Sequence, residues 1–272
     1  MISKSIKEGF KFALSVKRVI PYIILDLIVF YILISFFSGL INIIRSESFS
    51  IIGFFLSLGL FIPAIVIIIL AQLWINGAMI DQARYFPRGR PLVKSFEYST
   101  SRYLSLLCAL FVYVVINIII SMPRYIGAIL SLVFSLVMYY LYPSVIVGKK
   151  KCVDSFKNSY RVFMRYPLET FVTWLLQGII SLIVIGLFAL PLIFLFIGNV
   201  VGVFREMIPT AIGAEVESGT FIQSVVPGVL AAVRSPLFVP YLFVLVVALS
   251  FTKVFNLGVQ ARLYMNARKM EL

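Results

Sequence analysis

The chain has 272 residues, of which 61% are hydrophobic and 13% charged, with a net charge of +13 and a mean hydropathy of +1.06. A water-soluble fold of this length needs a polar exterior that such a composition cannot supply, so soluble enzymes, secreted disulfide scaffolds and disordered tails are excluded in favour of a polytopic membrane protein. With no histidine and two cysteines, histidine catalysis, imidazole metal sites and four-thiolate sites are excluded too, and no metal or other cofactor is expected.

A helix needs about 20 mostly apolar residues to cross the hydrocarbon. In chain order, apolar runs at about 19–44, 51–80, 103–121, 125–147, 167–204 and 236–259 predict six spans. The first run is longer than a signal-peptide core and no small-x-small cleavage site follows it, so it is expected to stay as a span. The fifth run is the awkward one: as a single helix it would be about 57 Å long, and Pro191 lies in its interior. It is either one broken span or two with a tight turn.

Charge decides between these. With both termini in the cytoplasm, the inner side collects 20 basic and seven acidic residues, which is the whole net charge of +13, and the outer side balances four against four. Two spans in the fifth run would move Arg262, Arg268 and Lys269 outside and spoil the asymmetry, so one span is expected. The segment at about 204–235 then becomes the main external element, with a short amphipathic helix around Ile222 to Val233.

Internal similarity suggests how the spans are grouped. Ile6-Lys-Glu-Gly9-Phe10, Val93-Lys-Ser95-Phe96 and Val153-Asp-Ser155-Phe156 each place a small residue before a phenylalanine, and each meets a basic residue (Arg18, Arg102, Arg165) before its span. Gly9 to Pro21 and Ser155 to Pro167 are equally spaced. A second echo, Asn76-Gly77 with Gln82-Ala83-Arg84, returns as Asn256-Leu-Gly258 with Gln260-Ala261-Arg262. The expected fold is therefore all-α: one membrane domain, 1–272, of six transmembrane helices. It is arranged as three units at about 1–89, 90–148 and 149–272, each an interfacial amphipathic helix followed by a helical hairpin, with both termini cytoplasmic.

The segment Cys152-Val-Asp-Ser-Phe-Lys-Asn-Ser-Tyr160 follows a helix end at Tyr142-Pro143, and the chain closes on Leu263-Tyr264-Met-Asn-Ala-Arg268. These motifs resemble the membrane domain associated with bacterial glycerophosphodiester phosphodiesterases and related six-helix prokaryotic families. In those enzymes the chemistry belongs to a separate soluble barrel, and no such domain is expected within these 272 residues. The resemblance therefore implies a membrane module and not a hydrolase.

Two groups of residues are candidates for function. Asp26, Gln72, Asn76, Glu169 and Lys253 are polar residues within the apolar runs, all at inner-half depth, where such residues mark sites or pair as interhelical glue. Asp26 and Lys253 are expected to pair. Lys7, Lys11, Arg18, Arg88, Arg90, Lys149, Lys150, Lys151, Arg161 and Arg165 flank the spans and suit anionic headgroups or an acidic partner. These bases are scattered over several loops without aromatic stacking platforms, which excludes a nucleic-acid reading. Ser250-Phe-Thr-Lys253 matches S-x-x-K, a weak signature of a Ser/Lys nucleophile pair. Gly198 and Gly202 form a G-x-x-x-G and are expected to make a close helix contact. Cys108 and Cys152 both fall near the inner side and are expected to be reduced. A prokaryotic plasma membrane fits these features, and the Ile and Lys richness is compatible with a thermophile. The functional expectation is a non-catalytic module that organises lipid or a partner protein, with a transporter or permease subunit as the alternative.

Overall fold

The computed structural model describes residues 1–45, 51–123, 126–211 and 228–269. Among them every regular element is helical and no strand occurs. Lipid offers no hydrogen-bond partners, so a spanning backbone must satisfy itself, which helices do within one segment. The helices in order are α1 (Ile2–Ala13), α2 (Val16–Arg45), α3 (Ile51–Tyr85), α4 (Leu92–Ser121), α5 (Gly127–Val137), α6 (Leu141–Ile146), α7 (Cys152–Arg165), α8 (Pro167–Ala211) and α9 (Phe238–Lys269). Among the described residues six stretches are long and apolar enough to cross a membrane: Val16–Gly39, Leu58–Tyr85, Leu92–Ser121, Gly127–Ile146, Pro167–Asn199 and Phe238–Lys269. Their outward faces carry large apolar side chains such as Leu104, 80% exposed, which would be untenable in water.

Three boundaries depart from the sequence-based expectation. The fifth span is one 45-residue helix that runs through Pro191 and on to Ala211, past the expected end near 204. The interruption falls instead in the fourth span, where the helix stops at Val137 and restarts at Leu141. The second amphipathic segment, from Leu92, runs without an elbow into its span as a single 30-residue helix, whereas Ser15 and Tyr166 interrupt the chain before the first and fifth spans. The sequence holds a reason: Pro167, with no backbone N–H to lose, opens α8 just after the Tyr166 break, and α4 has no proline. Of the expected external amphipathic helix, residues 228–234 are helical and the rest lies outside the described residues.

The chain groups into two compact units, Met1–Ile179 with Ser250–Leu272, and Ile180–Leu249. In the smaller unit the Phe196 and Phe238 rings meet edge to face, 6.1 Å between centroids.

The larger unit is held by small residues on the amphipathic segments. Ser5 and Gly9 in α1, Ser95 and Ser99 in α4, and Ser155 and Ser159 in α7 are all buried, each pair four residues apart on one helical face. Each pair is set against a different span. Gly9 faces the backbone of Val259 in α9, and its Cα lies 3.4 Å from where a Cβ on Gly258 would sit. Ser99 sits against Gly77 of α3 and donates to the Trp74 carbonyl at 2.7 Å. Ser159 donates to the Val137 carbonyl at 3.1 Å, where the fourth span is interrupted. Backbones this close exclude side-chain bulk, as at small-residue contacts between membrane helices generally. Gly198 is not such a contact, since a Cβ there would meet nothing within 4 Å, and the Gly202 side of that expectation falls outside the described side chains.

A Cβ on Gly9 would come within 3.0 Å of the Val259 amide nitrogen, which cannot swing away as a side-chain end could. Gly9→Ala is therefore expected to destabilise the protein by about 1–3 kcal/mol, as overpacking does. Gly178→Ala, placed where nothing lies within 4 Å, serves as the matched control, and thermal unfolding in detergent should leave it unchanged or slightly stabilised.

Candidate functional site

The first and last described helices meet at one end of the bundle, where Asn266 donates to Ser5 Oγ at 3.1 Å. At this basic end three loops and helix ends converge on one ring, Phe86. Arg18 donates to the Phe12 carbonyl at 3.0 Å and sets its guanidinium carbon 4.3 Å from the Phe12 ring centre and 5.2 Å from that of Phe86. Arg262 lies 5.4 Å from the same Phe86 ring, donates to the Phe86 carbonyl, and pairs with Glu8 at 3.4 Å. Phe86 is thus contacted by two cations, which ties the α1–α2 elbow, the end of α3 and the end of α9 together.

Next to it is a second polar group that the sequence reading missed. Asp81 is fully buried and pairs with Arg90 at 2.8 Å, and Arg90 also rests near the rings of Tyr85 and Tyr98. Gln82 spans the same loop, donating to the Arg90 carbonyl at 2.7 Å and to Ser95 Oγ at 3.0 Å. The signal was an acid nine residues before an arginine at a helix end. In the sequence nothing else sets Asp81 apart from the other inner acids.

Deeper in the larger unit lies the expected intramembrane cluster. Asp26 is 5% exposed and both its carboxylate oxygens are engaged: Lys253 Nζ meets Oδ1, and Ser250 Oγ donates to Oδ2 at 3.0 Å. Eight residues after Arg18 and nine before Arg262, the pair sits about 12–14 Å along its helices from the basic end. Tyr22, one turn before Asp26, is fully buried and donates to Asn76 Oδ1 at 2.6 Å. Asp26, Lys253 and Asn76 therefore form one group across α2, α3 and α9. Gln72 lies one turn before Asn76 on α3. Glu169 is elsewhere, in the first turn of α8 beside Thr170, whose hydroxyl meets that of Tyr140 at 2.8 Å.

Ser250 and Lys253 are held by the same carboxylate and not by each other. The serine hydroxyl is fully buried and points its proton at Asp26, so its geometry is that of an anchored donor and not of a nucleophile facing a base.

The interrupted fourth span borders a groove of about 320 Å³. Tyr113, Tyr139, Trp174 and Gln260 are among its walls, and Asp26, Glu169 and Lys253 are not. Tyr139 donates to Gln177, which in turn donates to the Asn256 carbonyl at 2.9 Å, so the chain break is braced to α8 and α9.

Of the flanking bases, Arg18 and Arg90 are part of the internal framework just described. Lys7, Lys11, Arg88, Lys149, Lys150, Lys151, Arg161 and Arg165 are exposed. The expectation of reduced cysteines is overturned: Cys108 of α4 and Cys152 at the start of α7 form a disulfide, their Cα atoms 5.6 Å apart. Whatever the compartment, α4 lies against α7 closely enough to bring these two positions within bonding range. Among the described residues no group of three or more His, Cys, Asp or Glu could hold a metal ion.

No family model, curated protein or solved structure matches the chain.

Two measurements follow. Thiol titration of the folded protein should find no free thiol before reduction and two after it. A serine-directed fluorophosphonate should leave Ser250 unlabelled, while Ser250→Ala should cost about 1–3 kcal/mol in thermal stability by stripping one partner from a buried carboxylate.

Proposed function

We propose that the protein is a non-catalytic integral membrane module that organises anionic lipid at one face of a prokaryotic plasma membrane, with both termini cytoplasmic. The observation that carries this reading is the separation of its charges by role. The carboxylate and amine within the spans satisfy each other, while eight basic side chains on the amphipathic helices and connecting loops remain exposed at or near the basic end. A basic amphipathic helix lies in the headgroup plane, and each lysine or arginine near an anionic surface is worth about 1 kcal/mol of attraction.

The three-unit arrangement belongs to the same proposal. In this reading each amphipathic segment packs on the returning span of the unit before it: α4 on α3 through Ser99 and Gly77, α7 on the fourth span through Ser159 and Val137, and α1 on α9 through Gly9 and Gly258. The last contact closes the series on itself. Serines repeat the logic, Ser95 accepting from Gln82 of α3 and Ser5 from Asn266 of α9. The likeness to phosphodiesterase membrane domains is part of this proposal too, and rests on the motifs around Cys152–Tyr160 and Leu263–Arg268. A disulfide on the cytoplasmic face is in keeping with a thermophilic host, since intracellular disulfides are common in hyperthermophiles.

A second reading, a transporter or permease subunit, is favoured by one feature. Broken spans beside cavities are how transporters build sites, and the fourth span is broken beside the 320 Å³ groove.

Because the native thiols are tied up with each other, single added cysteines report topology cleanly. Lys150→Cys should react with impermeant maleimide only from the cytoplasmic side and Met122→Cys only from outside. The reverse pattern would invert the module. In vesicles, the purified protein should enrich phosphatidylglycerol over phosphatidylcholine in its annulus, and no enrichment would remove the lipid reading.

A further inference from the structure

The face of α1 turned away from the core has a definite shape. Ile2, Ile6, Phe10 and Leu14 follow one another at intervals of four residues and form a continuous apolar ridge about 18 Å long. Leu176 of α8 stands across from this ridge, and together they bound an open groove of about 810 Å³. Phe10 is 45% exposed, and its ring meets Phe251 and Phe255 edge to face at 5.6 and 6.4 Å, so the ridge is anchored at Phe10 to aromatic groups of α9 behind it.

Lys7 and Lys11 line the same groove from the adjoining row, one turn apart and both exposed. No acid shares that lining. Glu8, the one carboxylate on α1, is turned to Arg262 at 3.4 Å. Two ammonium groups therefore border an apolar slot with no counter-charge supplied by the slot itself.

We propose that this groove is a binding site for a single anionic phospholipid, which lays one acyl chain along the Ile2–Leu14 ridge against Leu176 and sets its phosphodiester between Lys7 and Lys11. The chemistry matches both halves of such a molecule. The ridge removes hydrocarbon from contact with headgroups and water, and the lysines supply cation donors at the rim without a competing carboxylate. A soluble acidic peptide would match the charges but would leave the apolar ridge and the 810 Å³ slot unfilled. The proposal rests on the reading of the protein as a lipid-organising membrane module and narrows it to one site and one lipid class.

Native mass spectrometry of the full chain in detergent, titrated with phosphatidylglycerol or phosphatidylcholine of identical acyl chains, tests it. The unmodified protein should bind its first phosphatidylglycerol more tightly than phosphatidylcholine. Lys7→Ala with Lys11→Ala should weaken that first binding step about thirtyfold, the worth of two lysines near an anionic group, and erase the preference. Lys94→Ala with Lys157→Ala removes the same charge from exposed positions outside the groove and outside the eight bases assigned to lipid, and should leave the first step within about threefold, below the worth of a single such lysine. Leu176→Trp, which fills the slot without altering charge, should also abolish the first step while the melting temperature holds. If both lysine pairs weaken binding equally, the basic face acts diffusely and the groove proposal is wrong, though the lipid module stands. If the unmodified protein does not discriminate between the two lipids, the module reading falls with it.

Discussion

The structure depends on one constraint, that charge taken into hydrocarbon must bring its own partner. A lysine or aspartate at the middle of a membrane helix costs about 2.5–3.5 kcal/mol on insertion scales. Asp26 and Lys253 lie more than 200 residues apart in the chain and are joined across α2 and α9, with Ser250 taking the second carboxylate oxygen. That contact brings the first span against the last. The Phe86 clamp joins α2, α3 and α9 again at the basic end.

The basic end shows the same rule at lower cost. Asp81 is buried only because Arg90 reaches it, and Glu8 is directed by Arg262. Arg18 and Arg262 spend their charge on the carbonyls and rings of Phe12 and Phe86. Cations occupied in this way hold helix ends together, and those left exposed, such as Lys7, Lys11 and Lys149–Lys151, are available to a surface. A positive balance that looks uniform in the sequence is thus divided in space between internal fastening and exposed surface.

Much of this was legible from residue order. Six spans followed from apolar run lengths, and the Asp26–Lys253 pairing from two charges at one depth with an energetic reason to meet. The small residues at 9, 95 and 155 were visible as a recurring pattern, and each is buried. What sequence could not give was proximity between elements. The Cys108–Cys152 bond depends on how α4 lies against α7, and the Asp81–Arg90 pair on how the 86–91 loop folds back. Helix continuity depends on surroundings in the same way. Pro191 suggests a break in the fifth run, yet a proline inside a membrane helix is tolerated when its surroundings satisfy the freed carbonyl. The fourth span breaks at Met138–Tyr140, just ahead of Pro143 in the first turn of α6, which has no N–H to offer the Tyr139 carbonyl, and Ser159 donates to the Val137 carbonyl at the break.

The central claim, that the intramembrane charges are a structural clamp and not a pathway, is tested most directly by a double-mutant cycle on Asp26 and Lys253 read by thermal unfolding in detergent. Lys253→Met alone leaves a buried carboxylate without its cation and should cost about 3–5 kcal/mol, while adding Asp26→Asn should restore most of that loss. A double variant no more stable than the single one would contradict the account, because the two charges would then be acting independently.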